Sequence, residues 1–439
     1  MIHQLKLTNF KNFQSAELTL GPFSILIGEN ASGKSNLRDA FRFLHGIGRG
    51  YSLADIMGGK YIGGSLQWEG IRGGITEISF QELPNFCLEI VFDLNGEQKS
   101  RTGTYQIKVE TAKSPALAAR SLREQQSLKS FPMPVGALVS QESLKIGDEF
   151  VFQTHLEYME SHNIRVSVYR SGKADQVIDL VAASSQPVIT QLEEKLRMNG
   201  ASDAQQVIQT LRETLSVFSA MRFFSLEPAA MRIPSLPGQI VLGDRGENMS
   251  TVIQAISDDP QRFLALMEWI KELTPMDAVD FEFPVYADGK TLLTLVEKNG
   301  QKVSANSASD GTLRFLACLA ALLSPDASAF YFFEELENGI HPTRLYLLVD
   351  LIERNVKRKH IQVVATTHSP QLLRLISPAS LDTAALVYRL EDQPCGRIQG
   401  IANLPDGARE VIQTKDVARL HESAWFENVM SFLEGDAEE

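Results

Sequence analysis

Residues Gly28-Glu29-Asn30-Ala31-Ser32-Gly33-Lys34-Ser35 match the pattern G-x-x-x-x-G-K-[ST] at every defined position. Glycines at this spacing let backbone N–H groups close on phosphate oxygens. A helix that starts behind them adds the partial positive charge of its N-terminus. A lysine placed like Lys34 reaches β- and γ-phosphates, and a hydroxyl placed like Ser35 ligates magnesium. Asn30, Ala31, Ser32 and Asn36 belong to the same cradle.

A phosphate loop specifies binding and leaves hydrolysis open. Ala329-Phe330-Tyr331-Phe332-Phe333-Glu334-Glu335 is an apolar run ending in two acids. At a strand end the first acid can orient magnesium and its waters, and the second can polarise an attacking water. Gln362-Val363-Val364-Ala365-Thr366-Thr367-His368 is another apolar run, ending in a histidine. Ser307-Ala308-Ser309-Asp310-Gly311-Thr312 is a small-residue loop that opens a helix, a second anion-binding geometry.

These groups need a scaffold. Phe23–Ile27 reads as a short buried strand before the phosphate loop. Residues 36–44 read as a helix, with apolar positions at 37, 40, 41 and 44. Residues 5–13 and 16–20 read as two short strands, and Ile75–Phe80 with Phe86–Leu94 as a strand pair. Residues 46–74 are glycine-rich, which suits either a surface loop or a loop beside the nucleotide or a partner. Strand patterns recur at 105–109 and 150–158, and helical patterns at 115–129 and 187–220. Pro228–Pro237 reads as a connector. Asp288-Gly289 and Asn299-Gly300 are hairpin turns between strand-like runs. The expected organisation is residues 1–95, an insertion over 96–224, and residues 225–439.

Composition narrows the class. The 439 residues are 44% hydrophobic and 22% charged, as in a globular protein of two or three domains. The three cysteines form no C-x-x-C pair, which speaks against a disulfide framework or a structural zinc site. No apolar run has membrane-spanning length, and a cytoplasmic location is expected. The net charge of −12 leaves no whole-surface footprint for nucleic acid. The one dense basic run, Arg354 to His360, reads either as the solvated end of a helix or as a local nucleic-acid patch.

Taken together, the order of these motifs resembles ABC-type ATPase heads of the RecF/SMC/OLD-like branch. The opening Leu-x-Asn-Phe-Lys-Asn-Phe at 7–13, the phosphate loop, Glu-Glu-x-Glu-Asn-Gly-Ile-His-Pro at 334–342 and Thr-Thr-His-Ser-Pro-Gln-Leu-Leu at 366–373 carry the resemblance. It implies an α/β fold, a P-loop NTPase head with a mixed sheet, helices on both faces and an α+β insertion. It implies ATP and magnesium, with Lys34 and Ser35 on phosphate and metal. Glu334 takes the magnesium-orienting place, Glu335 the general-base place and His368 the γ-phosphate switch place. Ser309 and Gly311 contact the γ-phosphate of ATP on a second subunit. Lys11 and Asn12 lie near the base or ribose, and Gln81 or Gln67 takes the magnesium-sensing place. Three positions depart from the usual pattern: Glu334 for Asp, Asp310 for Gly and Leu336 for Pro. The resemblance further implies head-to-head dimers and, by analogy with multi-gene phage-defence systems, a separately encoded nuclease or effector, with DNA as a further candidate partner. A RecF-like repair ATPase and a low-turnover ATP-binding scaffold are the alternatives.

Overall fold

The computed structural model describes residues 1–95, 100–111, 136–160, 162–170, 177–200, 204–273, 278–326, 328–369, 372, 374–390 and 393–404. The expected helix at 115–129 lies outside the described residues. The chain opens with β1 (Ile2–Phe10), β2 (Phe13–Thr19) and β3 (Phe23–Ile27), followed by α1 (Lys34–Gly48) and α2 (Leu53–Gly58). It folds as two compact units. One holds Met1–Gly21, Glu29–Met221 and Leu386–Gly400; the other holds Pro22–Gly28, Arg222–Ala385 and the chain from Ile401.

The first unit is built on an antiparallel sheet. After the hairpin β4 (Lys60–Ile62) and β5 (Ser65–Trp68) come β6 (Asn85–Asn95), β7 (Ser100–Glu110), β8 (Leu138–Ile146), β9 (Glu149–Glu160), β10 (Asn163–Tyr169) and β11 (Val177–Ala183). Eight strands pair in the order β11-β10-β9-β8-β7-β6-β1-β2. Along β6 every second side chain is buried: Phe86, Leu88, Ile90, Phe92 and Leu94. That period of two gives the sheet one apolar face. Two helices, α3 (Ile189–Met198) and α4 (Gln205–Ser219), follow the last strand. Phe43 of α1 meets Phe86 edge-on at 5.5 Å, and Phe218 of α4 meets Phe92 at 5.5 Å. At Gly48 the two helices come so close that a Cβ would lie 2.4 Å from the Ser219 nitrogen. Glu142 of β8 is fully buried, and its carboxylate accepts N–H bonds from Val188 and Ile189 at 2.6 and 2.8 Å. It thereby caps the start of α3. Burial nevertheless pushes its pKa up to about 7.

β6 and β7 pair along their whole length, from Asn85↔Glu110 to Asn95↔Ser100. One expectation is revised in this unit. The strand expected at Ile75–Phe80 is replaced by two single 3-10 turns, Gly74–Thr76 and Phe80–Glu82. Gly73 and Gly74 are left-handed (φ 70° and 54°) and lead the chain into the first of these turns. The glycine-rich stretch 46–74 carries the end of α1, α2 and the β4–β5 hairpin, and Trp68 is anchored by its Nε1–H on Ile56 O at 3.1 Å.

The second unit is built on parallel strands. Here β12 (Met221–Phe224) is followed by α5 (Pro228–Met231), α6 (Met249–Ser257) and α7 (Pro260–Leu273). A small antiparallel sheet follows, of β13 (Ala278–Glu282), β14 (Thr294–Glu297) and β15 (Lys302–Ser304), turned at Asn299-Gly300 as expected. Next come α8 (Asp310–Leu323), β16 (Phe330–Phe333), α9 (Pro342–Lys359) and β17 (Gln362–Thr367). The strands run in the order β12-β16-β17-β3. Pairing is parallel between β16 and β17 and between β17 and β3. Every residue of β3, β16 and β17 is buried, as parallel strands covered on both faces require. The basic run sits in the last turn of α9, where His360 closes the helix in the left-handed conformation. Among the described residues no helix is long and apolar enough to cross a membrane.

Candidate nucleotide site

Three strand ends define one edge. Phe333 of β16 is level with Ala365 of β17, and Thr367 of β17 is level with Ile27 of β3. Because the strands are parallel, Glu334, His368 and Gly28 leave the sheet at the same, C-terminal, edge. Open parallel sheets bind ligands at that edge.

The loop after Gly28 has the conformation an anion cradle needs. Ala31 and Gly33 are left-handed, with φ 65° and 124°. Helix α1 then begins at Lys34 with no side-chain cap. A Cβ on Gly33 would stand 2.7 Å from Asn12 Nδ2 and 2.8 Å from the Phe13 ring. Only glycine fits there. The Lys34 ammonium bridges the loop to Glu29 O at 2.7 Å. The Ser32 hydroxyl is buried and has no hydrogen-bond partner among the described residues. A buried hydroxyl left unpaired is costly, and a phosphate oxygen is the partner this loop chemistry supplies. The residues therefore fit a nucleotide polyphosphate. Ser35 is half-buried in the first turn of α1, while Asn30 and Ala31 are exposed at the rim.

The opening motif turns out to brace this loop. Asn12 Nδ2 donates to Ser32 O at 3.0 Å, and Asn12 Oδ1 accepts from Asn36 Nδ2 at 2.7 Å. The Asn12 carbonyl accepts from the nitrogen of Gly396, at the start of β19 (Gly396–Gly400), which follows β18 (Ala385–Arg389). Asn12 and Asn36 thus hold each other. Lys11 is left-handed (φ 54°), donates to Arg72 O and lies 3.7 Å from Asp39 of α1. Burial lowers its pKa, and Asp39 partly offsets this. Asn12→Ala removes one partner from Ser32 O and one from Asn36, at about 1–3 kcal/mol. We expect a lower melting temperature and an ATP dissociation constant raised roughly tenfold. Calorimetry showing unchanged affinity would remove the brace from the picture.

At the other strand ends the acids diverge. Glu334 continues the strand ladder, its N–H on Phe224 O at 2.8 Å. Glu335 switches to a left-handed conformation (φ 48°) and donates its N–H to Thr366 Oγ1 at 2.9 Å. Asn338 Nδ2 donates to Glu335 Oε2 at 3.1 Å. A non-glycine residue held at positive φ costs energy and persists only where neighbours enforce it. Here Thr366 and Asn338 do so. A third acid, Glu337, was not singled out from the sequence. It is buried, and its Oε1 accepts from Thr367 Oγ1 at 2.8 Å and from His368 N at 3.2 Å. The signal was its place in the acidic run 334–337.

The small-residue loop is an N-cap. Ser309 Oγ accepts from Thr312 N at 3.2 Å and lies 2.8 Å from Thr312 Oγ1. A Cβ on Gly311 would fall 2.2 Å from Gly339 O, so the glycine lets this helix start press against the turn after the acids. Asp310, the departure from the family pattern, accepts from Arg232 Nη2 at 2.6 Å, and the same guanidinium donates to Ala308 O at 2.9 Å. The extra negative charge is therefore paired. Of the two glutamine candidates, Gln81 lies in the left-handed turn and Gln67 in β5.

The profile of the family described as "AAA domain, putative AbiEii toxin, Type IV TA system" matches residues 23–127 and 193–374. The chain is 22% identical over 387 residues to an "ATP/GTP phosphatase" of Helicobacter pylori (strain ATCC 700392 / 26695), spanning 86% of this chain and 87% of that protein. It is 52% identical over 54 residues to "DNA replication and repair protein RecF" of Brucella abortus (strain 2308), which is 12% of this chain and 14% of that one. Among solved structures, an SMC head bound to the C-winged helix domain of ScpA is similar at 12% identity with a TM-score of 0.47, covering 91% of this chain and 97% of that one.

Proposed function

Because the chain belongs to this AAA-domain family, an ABC-type ATPase group of the RecF/SMC branch, we propose that it is a magnesium-dependent ATP-hydrolysing switch that works as a head-to-head dimer on a separately encoded effector. The observation that carries the ATPase reading is the common sheet edge from which Gly28, Glu334 and His368 depart. Lys34 and the N–H groups of residues 30–36 take the phosphates, with Ser32 contributing its hydroxyl. Ser35 and Glu334 hold magnesium, which supplies charge neutralisation of the phosphate oxygens when bound. Glu335 accepts the proton of the attacking water. His368 reads the γ-phosphate. The name of the Helicobacter pylori relative supports turnover, and the family description names a putative toxin of a Type IV TA system. The three cysteines without a C-x-x-C pair suit a cytoplasmic setting. The short identity to RecF favours a second reading, a repair ATPase acting directly on DNA. Salt-sensitive DNA binding by the chain alone would select it.

In the dimer reading the Ser309–Gly311 loop completes the ATP site of the second copy. Ser309→Arg puts a long cation at that helix start. It should block turnover and leave ATP binding to one copy intact. Mixed with Lys34→Ala chains, it should form heterodimers with at most one competent composite site. Dilute monomers that hydrolyse ATP at the full rate would disprove the shared site.

A further inference from the structure

Glu337 has no role in the reading above, yet its surroundings are specific. Its side chain is 5% exposed. Oε1 takes two donors from consecutive residues at the end of β17, the Thr367 hydroxyl and the His368 backbone N–H. The His368 Nδ1 lies 3.8 Å from the same oxygen. Oε2 is buried with no partner among the described residues. The Thr367 hydroxyl in turn accepts from Ser369 N at 3.0 Å. On the other side, Glu337 sits in the turn that carries Glu335: Leu336 N donates to Thr366 O at 3.3 Å, Asn338 N to Glu335 O at 2.9 Å and Ile340 N to Glu337 O at 3.0 Å.

A carboxylate is an expensive group to bury for packing alone, since an apolar side chain would fill the space without desolvating a charge. Its two donors are the side chain of the residue before the histidine and the backbone of the histidine itself. We infer that Glu337 is a positioning residue: it ties the turn bearing Glu335 to the end of β17 and sets where the His368 ring stands. The inference rests on the role proposed for His368.

Glu337→Gln keeps a carbonyl oxygen for the Thr367 and His368 donors, whereas Glu337→Ala removes it. The Ala variant should lose about 10- to 100-fold in kcat, the scale of a small misplacement in a catalytic constellation. Its ATP affinity should be unchanged, because the phosphate loop does not use Glu337. The Gln variant should recover most of the rate. Added to His368→Ala, the Ala substitution should cost nothing more, since both act through one ring. Without nucleotide, the NMR signal of the His368 ring, assigned by its loss in His368→Ala, should shift in Glu337→Ala and return toward its original position in Glu337→Gln. Wild-type turnover in Glu337→Ala beside an impaired His368→Ala would overturn this inference alone. So would independent losses in the double variant, or a Gln variant as slow as the Ala variant. An unimpaired His368→Ala would remove the histidine from the proposed function and this inference with it. Thermal melts on each variant separate a misfolded chain from a misplaced ring.

Discussion

Lys34→Ala should abolish tight ATP binding. A unit charge about 4 Å from a phosphate charge is worth on the order of 4 kcal/mol at the effective dielectric of a protein surface. Even half of that, discounted for water entering the vacated space, raises the dissociation constant roughly 30-fold. More than 100-fold is expected, because the β- and γ-phosphates both lose the same cation. The fold should survive, since the bond from this ammonium to Glu29 O is local to its own loop. Isothermal calorimetry on the folded variant measures the effect. Wild-type affinity would refute the phosphate-loop reading and everything built on it.

Glu335→Gln should separate binding from chemistry. Glutamine preserves the shape of the side chain and an oxygen for Asn338 Nδ2, and the backbone bond to Thr366 Oγ1 does not depend on the side chain. What is lost is the base. General-base assistance is typically worth ~10²–10⁴-fold, so turnover should fall by about that much with ATP affinity kept. In the dimer reading the ATP-bound state should then accumulate and be visible as a larger species by light scattering. Parent-like hydrolysis by this variant would take the general-base role from Glu335. No turnover by the parent, with DNA and effector present, would leave the scaffold alternative standing.

Much of the site was legible because its parts are local. A phosphate loop is eight consecutive residues, and its conformation follows from where glycine alone is tolerated: Gly33 is left-handed and its Cβ position is occupied by Asn12 and Phe13. The strands β3, β16 and β17 were readable as continuous apolar runs, and a strand's last residue names what comes off its end. The helix after the Ser307–Thr312 loop was likewise readable, whereas the role of Ser309 as its N-cap came from the structure. An expectation failed at Ile75–Phe80, where the left-handed Gly73 and Gly74 lead the chain into a 3-10 turn instead of a strand.

The amino-acid sequence by itself determined the nucleotide-binding class and the family, since the phosphate loop and the motifs that follow it are each written in a short window. Only the tertiary structure decided how those windows are held. Asn12 belongs to the phosphate loop through bonds to Ser32 and Asn36, twenty and twenty-four residues away. Asp310 is neutralised by Arg232, 78 residues upstream. Glu337 grips Thr367 and His368 across 30 and 31 residues. A hydrogen bond of 3 Å leaves no trace in sequence spacing when strand pairing, and not chain distance, brings its partners together. The second layer of a site is therefore visible only once the strands are in register.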